Sequence, residues 1–189
     1  MKSSYPLLLT ILIATSTMAQ KTDIYYNIPN APKEYTATTV ASRMIDGLGF
    51  RYYWATDGLT EKNLAYKPNE KGKTTQKTVE HLYDLSNMML SLTKTVVEQS
   101  KPKSEMNFTE MRAQTLLNFQ GLSNRLKSSK NLSEFDGKKD GKVTVPFWNI
   151  INGPITDAIW HTGQVASFRR SSGNPINPKI NHFSGTVKN

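Results

Sequence analysis

Apolar residues recur at intervals of three and four along four stretches of this chain, with Pro and Gly punctuating the gaps between them. That spacing gathers side chains on one face of an α-helix and excludes the strict alternation of a half-buried strand. In the first stretch, residues 32–59, the stripe is Ala41, Ile45, Leu48, Tyr52, Ala55 and Leu59. Pro32 suits its opening turn and Gly58 its close. Gly47 and Gly49 lower the helical propensity in between, and they leave room for a neighbouring helix. Residues 60–74, with Pro68, Gly72 and four lysines, read as an exposed connection. A second helix is expected from a Thr74 or Thr75 cap to about Ser100, before Pro102. Its inward stripe is Val79, Leu82, Leu85, Met88, Met89, Leu92 and Val96. The third opens on Asn107 with Glu110 completing a capping box. It buries Phe108, Met111, Thr115, Phe119, Leu122 and Leu126 and ends near Ser129.

Residues 130–145 carry two Asp-Gly pairs, Asp136-Gly137 and Asp140-Gly141, ahead of Val143-Thr144-Val145, which reads as tight turns with a short hairpin. The acidic run is no calcium loop, because lysines fill the gaps and no closing Glu follows. The last helix starts near Pro146 and stops before Gly173-Asn174-Pro175. Gly153-Pro154 either kinks it or marks its true start, with Asn152 as cap. The expected fold is therefore all-α, a four-helix bundle with a turn or hairpin before the last helix.

The 189 residues suit one domain. Residues 1–19 have a basic start at Lys2, an apolar run too short to span a bilayer, and small residues before Gln20. This is the pattern of a cleaved export signal. The expected organisation is signal 1–19, N-terminal extension 20–34, bundle 35–175 and polar C-terminal tail 176–189. The protein is then periplasmic or secreted, with no stable membrane insertion once the signal is gone. The formal charge of +9 is spread along the chain, and no aromatic-rich RNA-binding strand accompanies it. No nucleic-acid partner is expected. The absence of cysteine excludes disulfides, thiolate ligands and a cysteine nucleophile.

Histidine chemistry has three seats, His81, His161 and His182. Asp157 and His161, four residues apart, share one helix face, and His81 lies on the stripe of the second helix. Both faces are otherwise apolar, so a carboxylate there needs a partner. One divalent cation on His81, Asp157 and His161 would supply it. An ordinary Asp–His pair beside a satisfied core histidine fits the spacing as well. Gln164 either orients a ligand or is a surface amide, and Asn152 either touches the site or caps a helix. Trp54, Trp148 and Trp160 pack the core or flank a pocket. Arg51 and Arg169 either bind an anionic substrate or lie in surface ion pairs. His182, in the tail, is expected to be no ligand. No nucleophile elbow and no phosphate-cradling glycine loop is present.

The histidine in TVEHLYDL, the element DAIWHTGQVASFRR and the closing Gly173-Asn174-Pro175 together resemble the DinB-like family, also called YfiT-like metalloenzymes. GFRYYWATDGLTEKNLAYKP is similar to that family's first helix and loop. The resemblance covers roughly residues 35–175. It implies a four-helix bundle in which three side chains hold one divalent ion, here zinc, nickel, iron or manganese. His81 and His161 match the first and last ligands. Asp157 stands where most members have histidine. That exchange lowers the charge of the loaded site from about +2 to about +1, weakening its acidification of a bound water or thiol. Some members are thiol transferases or thiol-dependent isomerases, and homodimers are compatible with such bundles by the resemblance alone. The expected function is a metal-dependent hydrolase or transferase acting on an unidentified small molecule, with no general acid or base assigned. The alternative is a non-catalytic metal-binding or structural bundle acting as an envelope-associated interaction protein.

Overall fold

Four-residue spacing alone does not start a helix; the orphan amides of its first turn need acceptors. In the computed structural model, which describes residues 24–188, Thr36 meets that need. Its hydroxyl accepts from the Thr39 amide at 3.2 Å, and its own amide donates to Thr39 Oγ1 at 2.8 Å. Helix α1 therefore spans Ala37–Thr56. Pro32 lies outside it, and the stripe residue Leu59 follows it. Gly58 sits just beyond the end at φ +65°, a backbone conformation suited to glycine. A short α2, Glu61–Ala65, occupies the connection.

Helix α3, Thr75–Thr93, is capped by Thr74 and ends seven residues earlier than the Pro102 signal implied. The reason is the β-branched run Thr93, Thr95, Val96 and Val97, which disfavours helix. Lys94 turns left-handed, at φ 52°. The chain then runs extended along α4, Phe108–Lys127. Gln114 holds it there, accepting from the Ser100 amide at 3.2 Å and donating to Glu98 O at 3.0 Å. Val97 fills the space over Gly121. Val96 is accordingly exposed, as is Met88, so neither belongs to the inward stripe expected of them. The Asn107–Glu110 capping box of α4 forms as the sequence implies.

The Asp-Gly pairs give one hairpin, β1 Gly137–Lys139 and β2 Lys142–Val145. Asp140 and Gly141 both have positive φ, the requirement of a two-residue turn of this kind. Then α5, Phe147–Ile150, passes through a widened turn, Ile151–Ile155, into α6, Thr156–Ser171. Gly153 is non-helical at the junction, so Gly153-Pro154 does break the last helix. No side chain caps the start of α6, which overturns the capping role given to Asn152.

The protein is mostly helical. Helix α1 packs on α4 and α6, and α3 packs on the same two. Ser42 meets Ser123 and Thr56 meets Arg112, so α1 and α4 run antiparallel. Ile45 and Tyr52 from α1, Leu82 and Met89 from α3, Phe119 from α4 and Val165 from α6 share one core. Both flanking segments join it. Tyr25 packs over Gly49, so that glycine admits an aromatic ring rather than the helix expected there. The Tyr25 hydroxyl donates to the buried Asp46, and burial beside that carboxylate pushes its pKa well above the ordinary value. Asp46 also accepts from Ser123 Oγ and pairs with Lys127 Nζ at 2.9 Å. A second hairpin, β3 Ile180–Asn181 with β4 Thr186–Val187, lies beside the N-terminal segment, the Ile28 amide donating to Gly185 O at 2.8 Å. No helix among the described residues is long and apolar enough to cross a membrane. The expected export signal at residues 1–19 lies outside the described residues.

Candidate metal centre

Two packed helices bring His81 together with a side-chain pair far from it in sequence. His81 sits in the second turn of α3, and Asp157 and His161 in the first turns of α6, just after the Gly153-Pro154 break. Candidate ligand atoms of the three all lie within 4.8 Å of one another. Asp157 bridges the pair: its Oδ2 is 3.2 Å from His81 Nε2 and its Oδ1 is 3.4 Å from His161 Nε2. The two imidazole rings stand edge to face, 4.7 Å between centroids. Bonds of about 2.0–2.2 Å in a tetrahedral site put ligand atoms roughly 3.3–3.6 Å apart. The two contacts to Asp157, at 3.2 and 3.4 Å and to different oxygens, lie close to that spacing. The donor set of two imidazoles and one carboxylate is one that a single divalent cation accepts.

The cluster is half-open rather than enclosed. The side chains of His81, Asp157 and His161 are 36%, 40% and 20% exposed. The apolar surroundings expected from the helix faces are therefore present only on the inner side, where Ala158 and Val165 are buried. Asp157 needs no compensation for deep burial.

Gln164 does more than a surface amide would. Its Oε1 lies 2.6 Å from His161 Nδ1 and, being an acceptor only, accepts a hydrogen bond from that nitrogen's N–H. His161 Nε2 is thereby left facing Asp157. A groove of about 280 Å³ leads to His81, lined by Lys73, Lys77, Glu80, Asp84 and Lys103. Sequence reading passed over it, although Lys77, Glu80 and Asp84 of α3 recur with His81 at intervals of three and four. Lys77 pairs with Glu80 and Lys103 with Asp84.

The other candidates lie elsewhere. Arg169 is buried and neither binds at the cluster nor pairs on the surface. It donates to the carbonyls of Trp54 and Ala55 at the end of α1, and to Asn174. Burial lowers its pKa, with Asp57 opposing. Arg51 donates to Gly47 O within its own helix. Trp54 is buried, whereas Trp148 and Trp160 are exposed. His182 packs its ring edge-on against Phe50. No protein-family model matches the chain, and comparison with curated proteins and with solved structures yields no match.

Proposed function

We propose that α1, α3, α4 and α6 form a DinB-like four-helix bundle holding one divalent ion on His81, Asp157 and His161, and that the protein is an exported metal-dependent hydrolase or transferase. One observation carries the metal reading. With its Nδ1–H donating to Gln164, His161 turns Nε2 to within 3.4 Å of one Asp157 oxygen, while His81 Nε2 approaches the other oxygen at 3.2 Å. Two imidazoles and a carboxylate converging from two helices, with candidate ligand atoms within 4.8 Å of one another, are a donor set that one divalent cation takes.

When bound, such an ion supplies Lewis-acid polarisation and lowers the pKa of a nucleophile. The chain's own residues supply the rest. Asp157 offsets one unit of charge, Gln164 fixes the tautomer and direction of the His161 ring, and the exposed side of the cluster gives a small molecule access. That access favours a working site over a closed structural one, which keeps no open position. Hydrolysis is the less constrained reaction, because thiol cosubstrates are chiefly cytoplasmic and fit an exported protein poorly.

Elemental analysis of the purified protein tests this, beside His81→Ala, Asp157→Ala and His161→Ala. Near-stoichiometric metal in the wild type, lost in each variant with helicity intact, is the expected result. A wild type free of metal after growth in varied metals would refute it. N-terminal sequencing of the exported protein is expected to begin at Gln20.

A further inference from the structure

The groove between α1 and α6, on the flank away from His81, holds a cavity of about 630 Å³. That volume is within the range of small-molecule sites. Val40, Met44, Leu48 and Ile159 give it apolar walls, and Val40, Met44 and Ile159 are exposed despite their chemistry. Ile159 is two residues past Asp157, roughly 200° around the helix. The cavity and the histidine cluster thus open on opposite flanks of α6.

Two polar features distinguish this cavity from a bare apolar face. Arg43 and Arg51 line it against the single carboxylate of Glu34, leaving a net positive charge. Thr162 lines it too; it is only 3% exposed, and its hydroxyl has no hydrogen-bond partner. A threonine inside a helix ordinarily bonds back to the carbonyl four residues earlier. Thr56, Thr93 and Thr115 all do so in this chain. Thr162 does not, and an unpaired buried hydroxyl is unfavourable unless something else engages it.

We infer that this groove binds a small amphipathic carboxylic acid. Its hydrocarbon body would lie on Val40, Met44 and Ile159, and its carboxylate would take the Thr162 hydroxyl proton in a hydrogen bond and face the arginines. The charge of the lining selects an anion over a cation, and the orphan hydroxyl selects a polar head over plain hydrocarbon.

Titration calorimetry of the purified protein with octanoate, octanol and octyltrimethylammonium tests the inference. Octanoate is expected to fill one saturable site, with octanol roughly tenfold weaker and the cation weaker still. Thr162→Val and Arg51→Gln should each weaken octanoate roughly tenfold, Arg51→Gln should leave octanol unchanged, and Ile159→Trp should block both. Thr162→Val is also expected to raise the melting temperature of the free protein, since it removes an unpaired buried hydroxyl. His81→Ala should leave octanoate binding intact, which separates this site from the metal reading. Equal affinity for octanoate and octanol, insensitivity to Thr162→Val, or no saturable binding overturns the inference. So does a concentration-dependent dimer that Ile159→Trp breaks and octanoate fails to displace, because the groove would then be an interface between copies.

Discussion

Replacing Gln164 with leucine isolates what one amide does for the histidine cluster. The side chain reaches no ligand position itself; it holds His161 through a 2.6 Å bond to Nδ1. Leucine keeps the volume and the helix but lets the imidazole rotate and take its proton on either nitrogen. A hydrogen bond to a group that gains positive character on coordination is worth about 1.5–3 kcal/mol. That corresponds to a loss of roughly ten- to hundredfold in metal affinity, the usual range for such supporting partners. Competition between the protein and a chelator of known affinity measures it, and circular dichroism checks that helicity is unchanged. Gln164→Glu should restore binding or strengthen it, because a carboxylate accepts the same proton more strongly. If Gln164→Leu binds metal within about threefold of wild type, His161 is not oriented through Nδ1. The orienting role given to Gln164 then fails with it.

Three further outcomes follow from named contacts. Arg169→Met should lower stability by about 3 kcal/mol in urea unfolding, since it strands the Trp54 and Ala55 carbonyls that the guanidinium now satisfies; a loss below about 1 kcal/mol would contradict that role. Gly49→Ala drives a methyl group into the Tyr25 ring and should cost about 1–3 kcal/mol, with the two sites strongly coupled when Tyr25→Ala is added. His182 has its pKa lowered from 6.5, first by burial and then by Arg51. The unfolded chain therefore takes up its proton first, and the contribution is full above pH 6.5 and lost as pH falls toward the folded value. His182→Gln should flatten that part of the pH–stability curve, measured by denaturation at successive pH values.

The sequence made the helices legible where local chemistry decides them. The Asn107–Glu110 box, the Asp140-Gly141 turn and the Gly153-Pro154 break all lie where their residues indicate, because each is settled within a few residues. The end of α3 was misjudged because Pro102 is a loud signal, while the quieter β-branched run Thr93–Thr95–Val97 acts first. The three cluster residues were legible from spacing and from the resemblance. Their exposure was not, since a helix face says nothing of how far its neighbour overlaps it. Arg169 read as a surface charge because nothing local reveals that the end of α1 lies beside it. The Tyr25–Asp46–Ser123 contacts join three distant parts of the chain and leave no periodic trace.

The bond between Ile28 and Gly185 has a use beyond tethering two outer segments. It sets both termini of the described chain side by side, so a short linker could join them and new ends could be cut between Asp140 and Gly141, at an exposed tip. Such a circular permutant would be translated with Asp157 and His161 ahead of His81, yet would fold to the same meeting of α3 with α6. Order along the polypeptide would then be shown to be incidental to the histidine–aspartate cluster, and only the docking of two helices essential.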